Sequence, residues 1–118
     1  MSKIQTVNEQ IHTFSDAICT MAQASSDVAS AFEKLYTTTL IDGKISHKIK
    51  ELIAIAIAIT SGSEESLRNH IRSGIASGLT REELVEGINV AILMKGENAF
   101  IYSAKALTLY DIEKSSER

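Results

Sequence analysis

Apolar residues recur every three or four positions along most of the chain, and this spacing predicts amphipathic helices. The first stripe comprises Ile4, Val7, Ile11, Phe14, Ile18 and Met21. A second helix is expected after the small polar stretch AQASSD, with Ser26 or Asp27 as its N-cap. Its inner face is expected to hold Val28, Ala31, Phe32 and Leu35. The β-branched and polar stretch TTTLIDGK that follows predicts a connection.

The next segment, HKIKELIAIAIAIT, is the most apolar part of the chain. Its isoleucines alternate with alanines, which is the period of a strand. Ala, however, is a strong helix former and a poor strand former, and Ser46 precedes the segment at an N-cap position. We therefore expect a helix. After Glu51 this helix has no polar face, so it must be covered by other helices or by partner chains.

Three more helices are predicted from start and stop signals. The first has Ser61 or Ser63 as its N-cap and stops at Gly78. The second opens with the capping box TREE at 80–83, and the third runs roughly over 98–114, after a Lys-Gly break. Their expected inner positions are, in order, Leu67, Ile71 and Ile75; Leu84, Ile88, Ala91 and Ile92; and Phe100, Ile101, Ala104 and Leu107. The prediction is an all-α, single-domain bundle of about six helices over residues 1–118.

Composition narrows the functional classes. At 44% hydrophobic and 23% charged residues, and with no Pro, the 118-residue chain is expected to fold as a helical protein. A net charge of −3 with scattered Lys and Arg argues against nucleic-acid binding. The N-terminal MSKIQTVNEQIHTF is too polar for a signal peptide, and the apolar run Leu52–Ile59 is too short to span a membrane. A single cysteine, Cys19, excludes an intrachain disulfide and predicts a cytoplasmic location.

Ionisable residues within apolar helices are the first candidates for chemistry. Glu51 borders the apolar helix, Glu65 lies near the start of the next one, and His70 lies within it. Ser63 and Ser66 are three residues apart, so they share one face of that helix. Together these five positions form the candidate site.

Most of these residues also have a structural role open to them. Ser63 is suited to an N-cap, and Glu65 to stabilising the positive end of the helix dipole. His70 is suited to a hydrogen-bonded structural position. Cys19 lies in an apolar stripe, which predicts a small packed thiol.

Glu51 has two possible partners one turn earlier, Lys48 and His47. His47, Glu51 and His70 together have the composition of a two-histidine, one-carboxylate metal site. Spacing alone does not fix the distance between the two helices, so we predict neither a metal nor a cofactor.

The order of these motifs resembles the carboxymuconolactone decarboxylase and alkylhydroperoxidase D-like family. The similarity covers roughly residues 40–107, from GKISHKIKELIAIAIAI through S-x-x-S-x-x-x-H to GLTREELVEGI and a glycine turn. In family peroxidases, a Glu precedes a C-x-x-C-x-x-x-H motif by twelve residues. Glu51 matches that Glu, Ser63 and Ser66 fall on the two cysteines, and His70 falls on the histidine.

The two serines decide which chemistry the resemblance implies. In the peroxidase branch the two thiols form a disulfide as peroxide is reduced, and the Glu and His relay protons to activate one of them. A serine hydroxyl neither ionises near neutral pH nor forms a disulfide. Peroxidase activity that depends on a cysteine pair is therefore not expected.

The decarboxylase branch also lacks the cysteines, and there the histidine is implied to act as acid or base on a small cyclic carboxylate. That branch typically carries an Arg near the position of Ser63. In this chain the nearest basic residue is Arg68, which is expected on a different helix face from His70. The resemblance therefore does not assign to this chain the lactone substrate of the decarboxylase branch.

Two functions remain open. One is a non-redox enzyme that uses Glu51, Glu65 and His70 for proton transfer on a small organic acid or lactone, such as decarboxylation or isomerisation. The alternative is a non-catalytic oligomeric protein that binds a small ligand or another protein. Hydrogen-bond reach between Glu51 and His70 beside a closed pocket would favour the enzyme. A filled interface with His70 bonded to backbone would favour the alternative.

The predicted partner is a second copy of the chain. The apolar helix leaves surface that a chain of this length covers only in part, and closed homo-oligomers dominate soluble assemblies. The resemblance implies a hexamer built as a trimer of dimers, with pockets near subunit boundaries. We expect no nucleic acid and no membrane as partners.

Overall fold

A computed structural model of the protein describes residues 13–117. The helices are α1 (Phe14–Ala24), α2 (Ser26–Leu40), α3 (His47–Ser61), α4 (Glu64–Ala76), α5 (Arg81–Lys95) and α6 (Glu97–Ser116). No strand occurs within 13–117, so the predicted all-α class with six helices is confirmed. The first part of the N-terminal stripe, Ile4, Val7 and Ile11, lies outside the described residues.

The chain divides into two compact units, residues 1–41 and residues 42–118. The described part of the first unit contains α1 and α2, and the second contains α3 to α6. The single-domain organisation predicted for residues 1–118 stays a prediction. None of the described helices combines the length and the hydropathy needed to cross a bilayer.

Both predicted ends of α2 need correction. The helix begins at Ser26, so the N-cap is Ser25 and not Ser26 or Asp27. No side-chain hydrogen bond caps it, so cap chemistry did not determine where it begins. It also continues to Leu40, so residues 37–40 of the stretch predicted as a connection are helical. Thr37 Oγ1 donates to a backbone carbonyl one turn earlier, which satisfies this hydroxyl within the helix.

The predicted inner face of α2 is wrong. Its expected members are all exposed: Val28, Ala31, Phe32 and Leu35. The buried residue of α2 is Ala29, while the ring of Phe14 packs against those of Phe32 and Tyr36. Cys19 of α1 is exposed and not packed. Periodicity groups residues on one face, but it does not determine whether other residues cover that face.

The apolar segment after Ser46 is a helix, as predicted. Ser46 Oγ accepts a hydrogen bond from the Ile49 N–H, and Gly62 ends the helix in the left-handed conformation at φ +69°. One side of α3 is buried and contains Glu51, Ile55, Ala58 and Ile59. Another side is exposed and contains Ile49, Ile53 and Ile57. The other described helices therefore cover α3 only in part.

The core of the second unit is formed by all four of its helices. The predicted inner positions of α4 are buried, and in α5 three of the four are buried: Leu84, Ile88 and Ala91. The capping box of Thr80 and Glu83 is present, with both reciprocal hydrogen bonds.

The inner face of α6 was predicted incorrectly. Phe100, Ile101 and Ala104 are exposed, and Leu107 is half-buried. The buried positions are Ala99, Ser103, Ala106 and Tyr110. Both sets follow helical spacing, and the small residues of the buried set allow the backbone of α6 to approach its neighbours closely.

Tyr110 provides a test of the hydrogen bonding in this core. Its hydroxyl donates to the carbonyl of Leu79 at 2.8 Å in a buried position. Tyr110→Phe leaves that carbonyl unpaired, so we expect a loss of about 1–2 kcal/mol in the free energy of unfolding, measured by denaturant titration. The control is Tyr102→Phe on the same helix, which is half-buried and should change stability by less than about 0.5 kcal/mol. Equal effects of the two variants would contradict this role of Tyr110.

Candidate active site

The site is centred on a carboxylate inside the core of the second unit. Glu51 lies in the second turn of α3 and is fully buried, with 0% of its surface exposed. His70 lies in the middle of α4, and its Nδ1 is 2.9 Å from Glu51 Oε2. Packing of α3 against α4 thus brings together two residues that are 19 positions apart in the sequence.

This contact favours one tautomer of His70. Because a carboxylate accepts hydrogen bonds, the contact fits the ring that carries its proton on Nδ1 and donates it to Glu51. In the neutral ring the lone pair is then on Nε2. The side chain of His70 is 13% exposed, so this imidazole is not sealed from solvent. The pair is therefore arranged as a base with a carboxylate that orients it.

The second oxygen of Glu51 is in a different environment. Oε1 is buried and has no hydrogen-bond partner within the part of the chain that the structure describes. His47, one turn earlier on α3, places Nε2 at 3.9 Å from this oxygen, which is too long for a hydrogen bond. Within residues 13–117, no group of three His, Cys, Asp or Glu residues has an arrangement that could hold a metal ion. The two histidines therefore flank Glu51, each beside a different carboxylate oxygen.

Lys48 is not the partner of Glu51. Its ammonium bonds Glu83 of α5 at 2.9 Å. The Thr80 backbone N–H, followed by the Lys48 ammonium, lowers the pKa of Glu83 below its usual value. Glu83 thus balances the positive charge of Lys48, which spacing within α3 alone could not reveal.

The two serines lie at the start of α4. Ser63 occupies the predicted N-cap position, but its side chain makes no capping hydrogen bond. Ser66 is exposed in the first turn, four residues before His70 and so on the same side of the helix. The two serines therefore place two hydroxyls at the start of α4.

Glu65 and Arg68 make no described hydrogen bond or ion pair with Glu51 or His70. Glu65 is exposed, and no described hydrogen bond or ion pair joins it to Glu51 or His70. Arg68 is half-buried, with its Nε unpaired among the described residues.

Ser103 is a buried polar residue of α6 that the sequence analysis does not identify. Its Oγ has no partner among the described residues. A lone serine on a helix with a small-residue face has no sequence signal that would identify it.

Comparison with known proteins links the chain to one family. Residues 26–109 match the model of the carboxymuconolactone decarboxylase family. An uncharacterised protein of Cupriavidus necator is 32% identical over 91 residues, which cover 77% of this chain and 80% of that protein. An uncharacterised protein of Paracoccus denitrificans is 29% identical over 97 residues, covering 82% and 87%.

Two crystal structures have the same fold. A carboxymuconolactone decarboxylase family protein of Legionella pneumophila superposes with a TM-score of 0.80 at 26% identity, covering 84% of this chain and 88% of that one. A protein of the same family from Thermotoga maritima gives a TM-score of 0.71 at 20% identity, covering 75% and 76%. At that identity, the second likeness concerns the fold alone.

Proposed function

Because the chain belongs to the carboxymuconolactone decarboxylase family, we propose that it performs non-redox acid–base chemistry on a small organic acid or lactone. The reaction is a decarboxylation or an isomerisation. The observation that supports this proposal is the 2.9 Å contact between His70 and the buried Glu51. Hydrogen-bond reach between these two residues supports the enzyme over the non-catalytic alternative.

In this proposal His70 transfers the proton and Glu51 controls the state of His70. The Nε2 atom takes a proton from the substrate or returns one to it. Glu51 holds the ring in one tautomer and stabilises the imidazolium that forms when Nε2 is protonated. Burial strengthens this interaction, since few water molecules screen the carboxylate. Glu65 remains a proposed third proton-transfer residue, although its carboxylate is exposed.

The test is an assay of proton transfer that detects turnover whatever the product is. The protein is incubated in D₂O with a panel of small lactones and unsaturated or keto carboxylic acids, and NMR follows deuterium incorporation and loss of the carboxylate. We expect protein-dependent exchange or conversion of at least one compound. A compound that binds but is neither exchanged nor converted would instead support the non-catalytic binding protein. If none is converted and none binds, the proposal fails.

Self-assembly is part of the proposal. The exposed isoleucines of α3 are spaced four residues apart and so form one apolar stripe. The helix α5 packs beside α3, where Leu52 occupies the space over Gly87, and exposes further large apolar residues: Val90, Leu93 and Met94. Exposed apolar surface of this kind marks interfaces. A second copy of the chain is the proposed partner of this apolar surface. The proposed assembly is a homo-oligomer, and the resemblance implies a hexamer.

Light scattering at micromolar concentration tests the assembly. We expect a mass several times the 12.8 kDa of one chain. Ile53→Glu places a charge in the apolar stripe and should reduce this mass, because burying an unpaired carboxylate opposes association. Ala76→Glu at the exposed end of α4 adds the same charge outside these apolar positions and serves as the control. A stable, monodisperse wild-type monomer would contradict the proposed assembly.

A further inference from the structure

The second oxygen of Glu51 is a buried acceptor whose hydrogen bond the described residues do not supply. In folded proteins, buried polar atoms are almost always hydrogen-bonded to protein, water or ligand. Glu51 Oε1 has no such partner among the described residues, although the side chain is fully buried and its other oxygen is bonded to His70. The described ion pairs place His47 Nε2 at 3.9 Å from this oxygen.

We infer that Glu51 Oε1 and His47 Nε2 together bind an O–H group, either a hydroxyl of the small-molecule ligand or a water. A ligand hydroxyl at this position would be a recognised feature of the substrate, and that case rests on the proposed function. Binding of a water does not. A carboxylate oxygen accepts and does not donate, so the occupant must carry a proton. An O–H group donates that proton to Glu51 and still offers lone pairs to His47.

The distance between the two atoms suits a single shared oxygen. Two hydrogen bonds of about 2.8 Å reach atoms 3.9 Å apart when they meet at an angle of about 90°. The oxygen therefore lies beside the line joining Oε1 and Nε2, and not between them. His47 has 34% of its side chain exposed whereas Glu51 has none. The site is therefore open to solvent at His47, and the bound O–H group enters from that side.

The charged groups of the surrounding helices do not supply this partner. From α4, His70 bonds the opposite oxygen of Glu51, and the buried Nε of Arg68 makes no described hydrogen bond with Oε1. From α5, Glu83 bonds Lys48. From α6, the ion pairs go to other residues: Lys105 to Glu64, Asp111 to Arg81, and Glu113 to Arg72. A proton donor other than the residues at 13–117 fits the remaining oxygen, and His47 becomes the residue that selects for it.

The first readout is a high-resolution crystal structure of the full chain without ligand. We expect an oxygen atom within about 3.2 Å of both Glu51 Oε1 and His47 Nε2. The second readout compares lactate with propionate, two carboxylates that differ by one hydroxyl, in NMR titrations of the histidine rings. Lactate should bind about tenfold more tightly, the ratio that about 1.4 kcal/mol gives.

His47→Phe removes the nitrogen while retaining a planar ring, and His47→Gln restores an N–H donor. In His47→Phe we expect the bound oxygen to be lost and the lactate-to-propionate ratio to fall to about one; His47→Gln should recover part of both. Circular dichroism checks that both variants keep their helices. An oxygen held unchanged in His47→Phe would overturn the assignment of His47.

The two readouts separate the sources of the O–H group. A bound oxygen without lactate selectivity identifies water as the occupant, and selectivity identifies a ligand hydroxyl. If neither is found, the inference is overturned. The deuterium assay tests the proposed function separately: a protein inactive in that assay that still holds the oxygen refutes the function and leaves this binding site standing.

Discussion

His70→Ala is expected to abolish the proton-transfer activity, and Glu51→Gln to lower its rate by a factor on the order of 10²–10⁴. The first change removes the nitrogen that exchanges the proton. The second retains the shape of the side chain and an oxygen that accepts from Nδ1, but it removes the negative charge that stabilises the imidazolium. The measurement is the rate of deuterium incorporation into whichever compound the wild-type protein converts.

Variants of two further carboxylates in the second unit test whether the loss of activity is specific to Glu51 and His70. Glu82→Gln on the exposed side of α5 should leave the rate unchanged, because Glu82 has no described contact with Glu51 or His70. Glu65→Gln tests the remaining proton-transfer residue proposed from the sequence. Thermal unfolding of each variant separates lost activity from lost structure. Full activity in both His70→Ala and Glu51→Gln would move the reaction to another site.

The helix boundaries that could be predicted were those set by local chemistry. Ser46 and the Thr80–Glu83 capping box each satisfy backbone N–H groups with their own side chains, so their effect is readable within four residues. Gly62 ends α3 with a positive φ, where a glycine is favoured. The start of α2 was missed because Ser25 makes no capping bond with its side chain.

The helix faces were harder to predict, because burial depends on what packs against a helix. In α4 the apolar residues form a single stripe, and that stripe is buried. In α6 two sets of residues follow helical spacing, and the large apolar set including Phe100 and Ile101 is exposed. The small residues Ala99 and Ala106 are buried instead, since they permit close approach of the neighbouring helices. The sequence pattern contains no information on that approach.

The residues of the site were identified in part by chemistry and in part by resemblance. Glu51 and His70 stand out as ionisable residues in apolar helices, but their separation depends on how α3 packs on α4. The position of His47 relative to Glu51 follows from helical spacing alone. What the sequence could not supply is the unpaired state of Oε1, which depends on every helix around it.

Converting the two serines to cysteines is expected to create a dithiol-dependent peroxidase activity, and none is expected of the wild-type chain. Wild-type protein should not consume hydroperoxide at the expense of a dithiol, because hydroxyls form no disulfide. In the variant that combines Ser63→Cys with Ser66→Cys, both thiols lie at the start of α4, where the helix dipole favours the thiolate. The changed residue 66 is also one turn from His70, which still has Glu51 as its partner.

The measurement is hydroperoxide loss with dithiothreitol as the donor, and we expect the double variant to exceed the wild type by at least about tenfold. All proteins carry Cys19→Ser, because Cys19 is exposed and could react with peroxide by itself. The single variants Ser63→Cys and Ser66→Cys serve as matched controls and should not turn over through an intrachain disulfide, since each has one thiol. Dithiol-dependent turnover by the wild-type chain carrying only Cys19→Ser would show that its chemistry is redox after all. A double variant that forms the disulfide without any turnover would show that the Glu51–His70 pair does not activate a thiol at this position.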